Sequence, residues 1–90
     1  MDRAYYDEIA GELHVLLVRL DDRLPGKDAT LIAEFIDANE LGLALEQMAD
    51  VLSDGEQPLA PDERAHMLGL VERMQMGERV PRALQSCPEK

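Results

Sequence analysis

The sequence predicts an all-α fold: a compact bundle of four short amphipathic helices, with room for a short fifth at the C-terminal end. Three observations carry that expectation. The apolar residues are aliphatic, with no Trp, one Phe and two Tyr among 90 residues, and Leu, Ala, Met, Glu and Arg favour helices over strands. They recur at three- and four-residue steps, which places them on one face of a helix. Helix-stopping residues then cut the chain at Leu24-Pro25-Gly26, at Asn39-Glu40, between Asp54 and Pro61, and at Gly77 and Pro81.

A chain of this length forms one domain, residues 1–90, that buries roughly 60–65% of its unfolded surface. Helix one is expected from Arg3 to Leu24, with Ile9, Leu13, Leu16, Leu17, Leu20 and Leu24 as its stripe and Pro25-Gly26 as its stop. Helix two is expected to start at Asp28, whose carboxylate suits an N-cap. Its stripe is Leu31, Ile32, Phe35 and Ile36, and Glu34 and Asp37 face away.

A straight continuation past Asn39 would turn the next apolar set, Leu41, Leu45, Met48 and Leu52, far round the axis from the first. Asn tolerates the left-handed conformation that ends helices, so a tight corner at Asn39 is expected to re-aim the chain. Helix three then runs from Glu40 to Ser53, with Gly42 early in it, where it would let another backbone approach closely. Glu46, Asp50 and Asp54 follow at four-residue steps on the outer face, accompanied by an apolar residue, Leu43. Like charges at that spacing weaken a helix slightly.

Helix four opens on Pro61-Asp62-Glu63, with Pro at the first helical position and acids complementing the dipole. Met67, Leu70, Val71 and Met74 form its stripe and Gly77 its stop. Val80, Ala83 and Leu84 make the short fifth helix, and residues 86–90 are expected as a flexible tail.

The net charge of −10 is unevenly placed. Residues 31–60 hold seven acids and no Lys or Arg, whereas residues 61–90 hold five acids and five bases. Such a field excludes nucleic acid and anionic membrane as natural partners, because both need basic residues. It suits a basic protein surface, and equally an acidic host proteome. The longest apolar run, Val15 to Val18, is far short of the ~20 residues of a membrane helix. The acidic N-terminus lacks a signal-peptide core, and one cysteine makes no internal disulfide, so a cytoplasmic protein is expected.

No catalytic, cofactor or metal site is expected. His14 and His66 share no metal-binding spacing, and Cys87 lacks an activating neighbour. Asp50 to Gly55 resembles a calcium loop only superficially, since Leu52 and Pro61 occupy ligand positions. An acyl carrier protein needs Asp-Ser-Leu, and neither Ser53 nor Ser86 stands in it. Met48, Met67 and Met74 read as core, and Met76 as packing beneath the C-terminal segment.

The stretch Phe35-Ile-Asp-Ala-Asn-Glu-Leu-Gly-Leu-Ala-Leu-Glu46, followed by Met48-Ala-Asp-Val-Leu52, resembles the signature of small bacterial immunity proteins of the MafI type and related contact-dependent-inhibition immunity proteins. The resemblance spans about residues 28–84, its most specific part being Gly42-Leu-Ala-Leu-Glu46, with Leu41 where an aromatic is common. It implies a protein that binds and neutralises a toxin domain, often a nuclease with a basic cleft. On that reading Glu34, Asp37, Glu40, Leu43, Glu46, Asp50 and Asp54 are the partner-binding residues, with Leu43 as the apolar anchor. The chain is then expected to be a monomer or weak dimer, and the rival expectation is a helical interaction or dimerisation module without a toxin partner. A small enzyme ranks third.

Overall fold

The computed structural model describes residues 3–90 as five α-helices: α1 (Arg3–Arg19), α2 (Gly26–Asp37), α3 (Leu41–Asp54), α4 (Pro61–Arg73) and α5 (Arg79–Leu84). The all-α bundle predicted from sequence is what forms, with 36 × 25 × 19 Å extents and no strand among the described residues. The core is aliphatic throughout, as the composition requires. α3 is its centre, burying Leu41, Ala44, Leu45, Met48, Ala49 and Leu52 and packing against α1, α2 and α5. Ile9, Leu13 and Leu16 of α1, Ile32 and Ile36 of α2, and Met67 and Leu70 of α4 close around it.

The predicted corner forms at Asn39, which takes φ 61°. The amide of Glu40 donates to the Phe35 carbonyl and that of Asn39 to the Ile36 carbonyl, which satisfies the orphan carbonyls at the end of α2. The same pair of bonds closes α3, with Glu56 at φ 47°, and α4, with Gln75 at φ 55°. The stop of α4 is therefore Gln75 rather than Gly77. None of the three corners places glycine where the left-handed turn occurs, and a non-glycine residue there is strained by about 1–2 kcal/mol. The Glu56 side chain is exposed. Glu56→Gly is expected to stabilise the protein by about 1 kcal/mol, raising the melting temperature by roughly 4–8 °C in calorimetry.

Three further boundaries differ from expectation. α1 ends at Arg19, and the chain tightens into a 3-10 turn, Asp21–Arg23, before Pro25. Proline cannot continue the helix, and it holds the preceding Leu24 extended at φ −116°, ψ 126°. α2 starts at Gly26 with Pro25 as N-cap, so Asp28 lies within the first turn instead of capping it, and its carboxylate accepts from Gln47 at 3.4 Å. Residues 86–90 are held rather than loose. Leu59 donates to the Pro88 carbonyl and accepts from the Lys90 amide, both at 2.9 Å, in a parallel bridge with Glu89. Arg64 donates to the carbonyls of Leu84 and Cys87, both at 2.6 Å, and so caps the end of α5. Cys87 is buried here, and burial pushes its thiol pKa up, which keeps it protonated and unreactive.

α1 and α4 are joined by ion pairs along their length. Arg73 bonds Glu8 and Glu12, His66 lies 2.8 Å from Glu12, and Arg19 lies 2.8 Å from Asp62. The His66 contact first, and Arg73 with it, holds the Glu12 carboxyl below its usual range. At the far end Arg23 and Glu63 form a buried bidentate pair at 2.6 and 2.8 Å. The other Arg23 donors reach the carbonyls of Pro58 and Arg19 and the carboxylate of Asp22, and Glu63 also accepts the Ala60 amide at 2.9 Å.

Candidate functional site

The outer surface of α2 and α3 is built by the corner at Asn39. By turning Leu41, Leu45 and Met48 into the core, it sends Glu46, Asp50, Asp54 and Leu43 outward on one side of α3. Glu34 and Asp37 lie exposed on α2, and Glu40 is exposed at the corner itself. The seven predicted residues share an outward orientation but form no single cluster. Glu40 and Asp54 stand at opposite ends of α3, about 20 Å apart at 1.5 Å per residue.

Their electrostatic states also divide. Glu46 and Asp50 face Arg79 of α5, at 3.7 Å and 2.6 Å. The Asp50 contact first raises the Arg79 pKa further. No local sequence signal links a base at position 79 to acids some thirty residues earlier; only the packing of α5 on α3 brings them together. Among the described residues Glu34, Glu40 and Asp54 have no Lys or Arg partner, and Asp37 meets only His14, at 4.0 Å. Asp37 and Asp54 are the last residues of their helices, where the dipole disfavours an acid, and neither last turn contains a base. The helices therefore gain nothing from the placement of Asp37 and Asp54, whereas Glu40, at the N-cap of α3, complements that helix's dipole.

At the corner end the surface dips into a groove of about 610 Å³ between the start of α1, the α2–α3 corner and the α4–α5 connection. Glu40, Leu43 and Glu46 line it, joined by Tyr5, Tyr6, Met74 and Met76, which the sequence reading had not placed there. Leu43 is 45% exposed, as an outward apolar residue should be. Tyr5 and Tyr6 meet edge to face at 5.4 Å; the Tyr5 hydroxyl donates to the Arg73 carbonyl, and the Arg73 guanidinium stacks over its ring at 5.8 Å. One wall is thus held rigid by the α1–α4 ion pairs.

Gly42 lies on the groove lining. It was expected to admit a close backbone, yet an added Cβ would meet nothing nearer than the Met76 methyl, at 4.0 Å. Gly42→Ala is accordingly expected to stabilise the fold, by about 0.5 kcal/mol in urea denaturation, through lower backbone entropy in the unfolded chain.

Among the described residues no group of three or more His, Cys, Asp or Glu side chains could hold a metal ion, and no helix is long and apolar enough to cross a membrane. No protein-family model, curated protein or solved structure matches the chain.

Proposed function

We propose that this chain is a bacterial immunity protein that binds a basic toxin domain of nuclease type in the cytoplasm and neutralises it through the acidic outer surface of α2 and α3. One observation carries the reading. Glu34, Asp37, Glu40 and Asp54 are exposed carboxylates without a Lys or Arg partner among the described residues, two of them placed against a helix dipole. A fold selected for stability alone would not place Asp37 and Asp54 at helix ends that oppose them, whereas a basic partner accounts for all four. Resemblance of the Gly42-Leu-Ala-Leu-Glu46 stretch to immunity proteins points the same way. The roughly 20 Å face suits an interface of about 800 Å² per partner. Its charges would speed encounter and fix partner choice, and an apolar contact would supply the tightness.

The test is capture from the native host at low salt, washed in salt steps, followed by expression of the captured protein with and without this chain. The expected result is one basic protein that is released as salt rises, is toxic alone and is harmless in co-expression. A partner retained equally at all salt concentrations would sink the acidic-surface mechanism.

A second reading is a dimerisation module, favoured by Val15 and Val18 on the outside of α1, which are 53% and 76% exposed. Light scattering that gives a concentration-dependent doubling of mass, with no toxin captured, would move the assignment there.

A further inference from the structure

The groove at the corner end has the form of a socket rather than a contact patch. Leu43, Met74 and Met76 supply its apolar surface and Tyr5 and Tyr6 its aromatic wall. Its volume falls in the range of pockets that take small ligands or single large side chains. Two further features bear on what enters it.

The first is Gly42. Glycine early in α3 weakens the helix, its φ is not positive, and no neighbouring backbone crowds it. The missing side chain leaves open space on the groove lining, and the fold itself makes no use of that space. The second is charge. Arg73 is the one base on the lining, and it is committed to Glu8, Glu12 and the Tyr5 ring. Among the described residues Glu40 has no ion-pair partner, and Glu46 has the 3.7 Å contact with Arg79, whose shorter bond is to Asp50. The rim of the socket is therefore acidic.

We propose that this groove receives one large apolar side chain of a basic protein segment, with an adjoining Lys or Arg placed on Glu40. The occupant is identified by charge complementarity together with the space that Gly42 leaves. The inference rests on the immunity reading for the identity of the segment, as part of the toxin, but not for the chemistry of the socket. It reverses the direction of the anchor. Leu43 becomes part of the wall that holds the partner's side chain instead of the knob that enters the partner.

The probes are three capped peptides, acetyl-Arg-Leu-Arg-amide, acetyl-Arg-Gly-Arg-amide and acetyl-Glu-Leu-Glu-amide, titrated into the uniformly 15N-labelled full chain. Amide shifts of Gly42, Leu43 and Met76 report binding. The first peptide is expected to bind with a dissociation constant on the order of 1 mM, and the other two about tenfold more weakly, one lacking the apolar side chain and the other the charge match. Gly42→Leu is expected to fill the socket and weaken the first peptide about tenfold while the melting temperature holds or rises. Glu40→Gln is expected to weaken it about threefold and to flatten its salt dependence.

Equal shifts from the Leu and Gly peptides, or full binding by the Gly42→Leu protein, would overturn the socket. The two levels of the reading fail separately. Peptide binding with no toxin neutralised keeps the socket and removes the immunity assignment. A captured toxin whose dissociation Gly42→Leu leaves unchanged keeps the assignment and removes the socket. Self-association of the wild-type chain that Gly42→Leu abolishes would make a second copy the occupant and overturn the proposal as stated.

Discussion

Glu63→Leu is expected to lower the free energy of unfolding by about 3–5 kcal/mol in urea denaturation. A domain of this size has about 5–13 kcal/mol in total, so the variant is left close to unfolding. The reason is the charge left behind. Arg23 is buried, and its guanidinium is held by both Glu63 oxygens, at 2.6 and 2.8 Å. Leucine at 63 would strand that cation away from water, and would also release the Ala60 amide at the start of α4. The double replacement Arg23→Met with Glu63→Leu removes both charges together and is expected to lie within about 2 kcal/mol of the natural protein. A single-variant loss below about 1 kcal/mol would show that water reaches the pair and that it acts as a surface contact.

Acid should act on the same pair. Bonding to Arg23 holds the Glu63 carboxyl down to about 2, from an ordinary 4.5. The folded-state value is the lower one, so the stabilisation is complete above about pH 4.5 and is lost as pH falls toward 2. That shift corresponds to about 3 kcal/mol. The Arg23 pKa, raised first by the same bond, is the other side of one interaction and adds nothing to the sum. Glu12, lowered by His66 and Arg73, weakens in the same direction. Denaturation midpoints measured from pH 5 downward should fall for the natural protein and stay flatter in the double variant.

This pair was legible in the sequence and went unread. Arg23 continues the Leu16–Leu20 line of the first helix by three residues, and Glu63 precedes Met67 and Leu70 by four and seven. Each charge thus stands on an apolar stripe, and two opposite charges so placed point to a buried partner. The left-handed corner at Asn39 was recovered because a displaced stripe and a tolerant residue agreed. The corners at Glu56 and Gln75 were not, because neither residue type announces a left-handed turn and the nearby glycines, Gly55 and Gly77, drew attention to the wrong positions. Docking of residues 86–90 depends on backbone bonds to Leu59 and on the Arg64 guanidinium donating to the Cys87 carbonyl, which leave no trace in composition. The acidic outer surface was visible as a charge run. Its division into neutralised and free carboxylates was not, because it depends on where α5 brings Arg79.

That division sets the second large prediction. Lys in place of Glu34, Asp37, Glu40 and Asp54 moves the net charge from −10 to −2, each exchange adding two units. Association with a captured basic partner, followed by stopped flow at low salt, is expected to slow about 10- to 100-fold, and the gap should narrow as salt rises. The fold itself should change little, since Lys at 37 and 54 complements the helix ends that the acids oppose and offsets the unfavourable Lys at 40, the N-cap of α3. Glu46 and Asp50 are unsuitable for this purpose, because Lys there would face Arg79 and mix repulsion between α3 and α5 into the result. A variant whose association rate and salt dependence match the natural protein would remove the steering role of the surface. Unchanged association with faster dissociation would instead make the four carboxylates contacts in the bound complex. Either result leaves the socket at the corner end to be judged on its own peptides.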